Sequence, residues 1–141
     1  MSSVKHAVEL MKFSHGMIDK MLETIPADKC LHQQHGSSNH VVWTLGHLAC
    51  TYAWFATTID ADAYSKSDAF NIPESWGPLF GMGSKVSSDA SVYPPLADVR
   101  KRYDTAFAGY VKMVEGLSEA DAWTPCATDT GGFAKSKIDG A

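Results

Sequence analysis

The spacing of apolar residues predicts a long helix at the start of the chain. Between residues 4 and 25 they recur at helical spacing, with the small polar Ser14 as one member of the face, at Val4, Ala7, Val8, Met11, Ser14, Ile18, Met21, Leu22 and Ile25. That period is typical of one face of an α-helix, and the following Pro26 lacks the N–H donor needed to extend it. We therefore predict a first helix over residues 3–25, followed by a polar, histidine-rich loop.

The next predicted helix, residues 40–59, has little surface left for water. Wound at 100° per residue, it carries two neighbouring rows of side chains. One row is apolar and consists of Val41, Leu45, Leu48, Tyr52, Phe55 and Ile59. The adjacent row consists of His40, Trp43, His47, Thr51, Trp54 and Thr58. We expect a buried helix with Asn39 as its N-cap, since asparagine is favoured at that position.

The stretch from residue 60 to residue 95 is rich in glycine, serine and proline and is long for a connection in a compact domain. Within it, Trp76, Leu79, Phe80 and Met82 are too apolar for a solvated linker. We therefore predict an ordered flap or packed loop that covers one end of a helical bundle.

A third amphipathic helix is predicted over residues 95–117. Its apolar positions are Leu96, Val99, Tyr103, Ala106, Phe107, Tyr110, Val114 and Leu117, with charged residues mostly between them. After Phe133 a new segment resembles the start of a fourth helix. Because no stretch alternates in the manner of a β-strand, we predict one all-α domain over residues 1–141.

Composition narrows the class of protein. The 141 residues suit a single domain, and 12 basic against 16 acidic residues give a net charge of -4. The basic residues are scattered, which argues against nucleic acid as a partner. The most apolar stretch, residues 41–59, is interrupted by polar side chains, so we expect no membrane span. The absence of a signal-peptide pattern and the odd number of cysteines, 3, favour a cytoplasmic location.

The six histidines are clustered, since all of them lie between residues 6 and 47. His40 and His47 share a helix face but stand about 10 Å apart along the axis. That separation is too large for one metal ion with ligand bonds of about 2 Å, so at most one of the two binds. His32 and His35 offer a weaker alternative site with His40, since no acidic residue lies among them.

His47 is the candidate metal ligand, because it lies in the row beside Trp43, Thr51 and Trp54. The alternative, which spacing alone favours, is a histidine that packs and hydrogen-bonds inside a buried helix. His15 lies on the core-facing side of the first helix, where packing or support of a ligand is expected. Cys50 follows His47 by one turn, but a buried helix-interior thiol should have a raised pKa and be inert.

The sequence resembles the DinB/YfiT-like superfamily at two places. Residues 39–49, NHVVWTLGHLA, resemble the second-helix motif in which Trp-x-x-x-His begins the metal site. Residues 73–84, PESWGPLFGMGS, with the later Tyr93-Pro94-Pro95, are similar to the connection between helices two and three of some members. The resemblance implies an up-down-down-up four-helix bundle, often a homodimer, in which three histidines bind Ni²⁺, Zn²⁺ or a similar divalent ion.

By position, the family's histidine on helix two corresponds to His47, and the other two belong to a His-x-x-x-His pair on helix four. This chain has no histidine after His47. Either the fourth helix is incomplete or missing in these residues, or this member does not bind metal in the family's manner. We expect the former, because three helices alone would leave apolar faces exposed. The pocket would be lined by His15, His40, Trp43, Thr51, Trp54 and Phe80.

Two functions remain open from the sequence. The first is a metal-dependent enzyme that acts on a small-molecule substrate or thiol, by thiol-dependent S-transfer or by hydrolysis, as the resemblance implies. The second is a non-catalytic helical bundle for small-ligand binding or dimerisation that has lost the metal site. Metal content separates the two.

Overall fold

The computed structural model describes residues 2–141, which form an all-α domain. Its six α-helices are α1 (Ser3–Glu23), α2 (Val41–Ile59), α3 (Ala61–Ser65), α4 (Trp76–Phe80), α5 (Leu96–Glu115) and α6 (Glu119–Ala122). Short 3-10 turns lie at Ala27–Lys29, Asp68–Phe70 and Ala90–Val92, and no strand occurs in the described part of the chain. The all-α prediction is confirmed. The three long helices begin and end within one or two residues of the predicted bounds, a normal uncertainty for helix ends.

The helix α5 occupies the centre of the fold. It packs along α2 on one side and against α1 on the other, whereas α1 and α2 hardly approach each other. Tyr103 and Tyr110 of α5 are completely buried between these neighbours. Within residues 2–141, none of the helices combines the length and the apolar character needed to cross a membrane.

The start of α2 differs from the prediction, because His40 and not Asn39 is the N-cap. The His40 backbone is extended, and its Nδ1 atom accepts a hydrogen bond of 3.1 Å from the Trp43 backbone N–H. An unprotonated imidazole nitrogen can thus replace the side-chain oxygen that usually satisfies a free N–H at a helix start.

The connection between α2 and α5 is ordered and packed, as the sequence predicts. Trp76 and Phe80 of α4 are buried, and α4 contacts α2. Gly46 makes this contact possible, since a Cβ atom at that position would overlap the Phe80 ring. Met82 is the exception, because its side chain is exposed and covers no part of the core.

The segment after Phe133 does not begin a fourth helix, so that prediction is wrong. Residues 134–141 form turns, with one isolated antiparallel bridge between Pro125 and Ser136. The Ile138 backbone N–H donates to the Ala122 carbonyl over 3.1 Å, and the Ile138 side chain is buried in the core. These contacts use a backbone N–H that a helix over these residues would need for its own hydrogen bonds.

Candidate functional site

The His47 imidazole is held in one orientation at the middle of α2. Its Nδ1 atom lies 2.8 Å from the carbonyl oxygen of Phe80, which can only accept, so Nδ1 is the donor. The ring stacks on the Trp43 indole, with centroids 4.7 Å apart and planes 9° from parallel. Among residues 2–141, no hydrogen bond reaches the Nε2 atom. In the neutral imidazole Nε2 therefore has a free lone pair.

The groups around His47 are themselves fixed. The Trp43 indole N–H donates to the Ser84 hydroxyl over 2.8 Å, so the stacking partner cannot rotate freely. Thr51 donates its hydroxyl to the His47 carbonyl over 2.8 Å, which commits its proton to the helix backbone. Phe80 is fully buried against Gly46, and this holds the carbonyl that accepts from His47. The structure thus brings together His47, Trp43, Thr51 and Phe80.

His40 is a structural residue in this arrangement. With Nδ1 accepting from Trp43, Nε2 carries the proton and donates to the Ser87 carbonyl over 2.8 Å. The side chain is edge-on to the Tyr93 ring, and the residue is only 3 % exposed. Both ring nitrogens are engaged, so neither is available to a ligand.

Trp54 lies toward the C-terminal end of the predicted row, one turn before Thr58. At 1.5 Å per residue it stands about 16 Å from Trp43 along the helix axis. The indole is partly exposed and makes an edge contact with Phe133, at a centroid distance of 6.0 Å. Trp54 therefore belongs to an aromatic surface near the C-terminal segment and not to the surroundings of His47.

The thiol nearest to His47 in sequence is unreactive. Burial raises the pKa of Cys50 to about 11, which keeps it protonated at neutral pH. This confirms the expectation of a raised pKa for a cysteine inside α2. Cys30 also has a raised pKa, mainly through burial and then through the charge of Asp28. Neither thiol has the electropositive surroundings that a nucleophilic cysteine needs.

A second cluster of polar residues joins α1 to α5. The His15 Nε2 atom lies 3.3 Å from Asp104 Oδ1 and 3.7 Å from Asp19 Oδ2. Arg100 donates from Nη2 to Asp19 over 2.6 Å and from Nε to Asp104 over 2.9 Å. The His15 ring stacks on the Phe107 ring, with centroids 3.9 Å apart. His15, Asp19 and Asp104 are so close that they could hold a metal ion, since one ligand atom from each lies within 4.8 Å of the others.

The positive charge of Arg100 and the negative charges of Asp19 and Asp104 stabilise one another. Burial by itself would lower the pKa of Arg100, but the hydrogen bond and charge of Asp104, with the charge of Asp19, raise it above its ordinary value. The guanidinium is therefore permanently charged and offsets one of the two carboxylates. Sequence reasoning found His15 but missed the other members. The available signals were the i,i+4 spacings of His15 with Asp19 and of Arg100 with Asp104.

His47 stands apart from any complete metal centre in the described chain. Across residues 2–141, no group of three close ligand-type side chains includes it. It is also absent from the lining of the grooves that run along α4, α5 and the helix ends. His47 thus presents one oriented nitrogen and no second protein ligand.

Comparison of the chain with family models, with curated proteins and with solved structures gives no match in any of the three. The resemblance to the DinB/YfiT-like superfamily therefore rests on the residues of its motifs.

Proposed function

We propose that this chain is a DinB/YfiT-like domain of a metal-dependent enzyme that acts on a small molecule, by thiol-dependent S-transfer or by hydrolysis, with His47 as a metal ligand. One observation carries the proposal: His47 donates from Nδ1 to the Phe80 carbonyl and leaves Nε2 without a partner. Histidines that bind metals commonly donate their other ring N–H to a carbonyl or carboxylate, which sets the tautomer and the ring orientation.

The donor set around His47 fits one position of such a centre. An imidazole nitrogen suits Ni²⁺ or Zn²⁺, the ions that the resemblance favours. The family assigns the remaining ligands to a fourth helix, and residues 2–141 form no such helix. When bound, a divalent ion supplies a Lewis acid and lowers the pKa of coordinated water or thiol.

The chain's own contribution is to prepare the ligand. Stacking on Trp43 and the hydrogen bond to Phe80 restrict both torsions of the His47 side chain before anything binds. Because the His47 side chain is already ordered in the folded protein, a ligand that binds at Nε2 does not have to restrict these torsions and loses less conformational entropy. The packing of Phe80 against α2 therefore supports the site through the backbone carbonyl that accepts from His47.

A homodimer is part of the same proposal, and the outer surface of α1 supports it. Four large apolar side chains, Leu10, Phe13, Met17 and Met21, are exposed there at spacings of three and four residues. They form one stripe away from the buried positions of α1, which include Val4, Val8 and Met11. Monomeric proteins rarely leave a continuous apolar patch of this kind in water.

The test is metal binding by the protein expressed from its natural gene. Equilibrium dialysis with Ni²⁺ and Zn²⁺ would compare His47→Ala with the control His32→Ala, which removes an exposed loop histidine. Both variants would also carry Asp104→Asn, so that the cluster on α1 and α5 does not contribute. We expect His47→Ala to lower metal affinity at least tenfold, because it removes one protein ligand. The metal affinity of the control should be unchanged. Equal binding by both would remove His47 from the metal centre.

The non-catalytic bundle is the second candidate. It is favoured by the lack, within residues 2–141, of another ligand-type side chain that could share an ion with His47. On this alternative the hydrogen bond to Phe80 serves only to satisfy a partly buried imidazole. Protein purified without bound metal, and unable to take up Ni²⁺ or Zn²⁺ at His47, would support it.

A further inference from the structure

The contact between α1 and α5 carries a cluster that the proposed function does not use. We propose that His15, Asp19 and Asp104 form a divalent-metal site separate from His47. The inference does not depend on the family resemblance. It rests on how these three side chains and Arg100 are arranged, and on one hydrogen bond that the arrangement fails to make.

The helices place the three ligands on one groove. His15 and Asp19 are four residues apart on α1 and so project from the same side of that helix. Asp104 projects from α5, which packs against α1. The His15 ring is held flat against Phe107 and also stacks on Tyr103, with centroids 4.8 Å apart. The imidazole therefore has a fixed direction toward the two carboxylates.

Arg100 binds only one oxygen of each of the two carboxylates. It binds Oδ1 of Asp19 and Oδ2 of Asp104. The other oxygen of each carboxylate is left facing the His15 Nε2 atom. A guanidinium that holds the outer oxygens of ligating carboxylates restricts their rotation, as hydrogen-bond partners commonly do around metal ligands. Three potential ligand atoms are thus held close together, while Arg100 binds the other oxygen of each carboxylate.

The decisive feature is an unmade hydrogen bond. Asp104 Oδ1 is buried and has no hydrogen-bond partner, although His15 Nε2 is only 3.3 Å away. The axis of the Nε2 lone pair or N–H must therefore pass beside this oxygen. An ion pair would aim the N–H at the oxygen, whereas ligand atoms aim at a common ion between them. Ligands of a tetrahedral ion with bonds of about 2.1 Å lie about 3.4 Å apart, close to the 3.3 and 3.7 Å seen here.

Two further buried polar atoms lack a hydrogen-bond partner, Nδ1 of His15 itself and the hydroxyl of Tyr103, whose ring stacks on His15. Tyr103 is 0 % exposed, and the Arg100 guanidinium carbon lies 6.0 Å from the centroid of its ring. Buried polar groups without partners are uncommon in folded proteins, and each one calls for an explanation such as a bound ion or water.

The donor set indicates the kind of ion. One imidazole nitrogen and two carboxylate oxygens suit divalent ions such as Zn²⁺ or Mn²⁺ and disfavour soft ions that select thiolates. The His15 side chain is 15 % exposed, while those of Asp19 and Asp104 are 36 % and 43 % exposed. The cluster is therefore closed on the aromatic side and open to solvent on the other. Three protein ligands with an open side leave coordination positions for water or for an anionic ligand.

The experiment is a titration of the full chain with Zn²⁺ by calorimetry, and with Mn²⁺ by NMR of the histidine ring protons. We expect Mn²⁺ to broaden the His15 ring signals before those of His32 and His35. We also expect Asp104→Asn and Asp19→Asn each to lower Zn²⁺ affinity at least tenfold, since each removes one of three ligands. The matched control is Asp62→Asn, which removes an exposed carboxylate paired with Lys66 on α3.

Two results would overturn the site. One is a wild-type chain that shows neither Zn²⁺ uptake nor selective broadening at His15 with the metal ion at millimolar concentration. The other is Zn²⁺ affinity that Asp104→Asn and Asp19→Asn leave unchanged while their circular dichroism shows them folded. The wild-type NMR titration remains decisive even if a variant does not fold. His47→Ala should leave this site intact, so failure here and failure of the His47 proposal are separate outcomes.

Discussion

The carbonyl oxygen of Phe80 accepts a hydrogen bond of 2.8 Å from the Nδ1 atom of His47. It links α4, in the middle of a long connection, to the candidate ligand on α2. The Phe80 ring is completely buried beside Gly46, which lies one residue before His47. The orientation of the imidazole therefore depends on how closely α4 approaches α2.

Gly46→Ala tests this dependence. The new Cβ atom would overlap the Phe80 ring, so α4 must shift and carry the Phe80 carbonyl away from His47. Overpacking typically costs about 1–3 kcal/mol, and a Cβ atom that overlaps a buried ring belongs to the upper part of that range, above the gain of about 1 kcal/mol in helix propensity. Urea unfolding should show a net loss of stability. The control is Gly16→Ala in α1, where the space around the Cβ is open and we expect stabilisation. A Gly46→Ala protein as stable as wild type would contradict the close approach.

His40 should contribute to stability and not to binding. His40→Ala removes the N-cap of α2 and leaves the Ser87 carbonyl without its donor, at a cost of about 2–4 kcal/mol. His40→Asn restores a capping acceptor for the Trp43 N–H and should recover about 1 kcal/mol of that loss. Chemical denaturation of the three proteins measures both effects. If alanine and asparagine were equivalent, the capping role would be wrong.

The C-terminal segment should make stability depend on acid. Hydrogen bonds from the Ser136 backbone and hydroxyl, and then from the Lys135 backbone, lower the pKa of Asp139. A carboxyl with a lowered folded-state pKa adds stability above its unfolded pKa of about 3.9, and that stability is lost as pH falls through the folded value. Thermal unfolding between pH 6 and pH 2.5 should therefore show a steeper loss below about pH 4 in wild type than in Asp139→Asn. Asp62→Asn, which removes an exposed carboxylate elsewhere, should keep the wild-type profile.

The stripe on α1 should mediate self-association. Phe13 lies within this stripe and is 67 % exposed. Phe13→Glu would therefore bury a charge in a dimer interface, whereas it would lower the stability of a monomer only slightly. Light scattering should give a dimer mass for wild type and a monomer mass for the variant. Met82→Glu changes an exposed apolar residue outside α1 and should remain dimeric. A monomer mass for the wild-type protein would show that the stripe does not mediate self-association.

The sequence predicted the candidate residues better than the candidate sites. It placed His47, Trp43 and Thr51 on one helix row, and the structure keeps these three together with Phe80. The same row placed Trp54 in the pocket, although it contacts Phe133 instead. Helical spacing identifies which residues share a side of a helix, but it does not say what lies opposite each turn.

By itself, the sequence determined the three long helices, because the helical period is a local property of neighbouring residues. It did not fix every position that they bury, since Met21 lies on the predicted apolar face of the first helix and is exposed. Only the tertiary structure decided which nitrogen of His47 is bonded, that Asp104 meets His15, and that residues 134–141 form turns against Ala122 and Pro125. Each of these depends on contacts between segments far apart in the chain. Such contacts are set by the packing of α1 and α2 against α5 and of α4 against α2, which no local pattern contains.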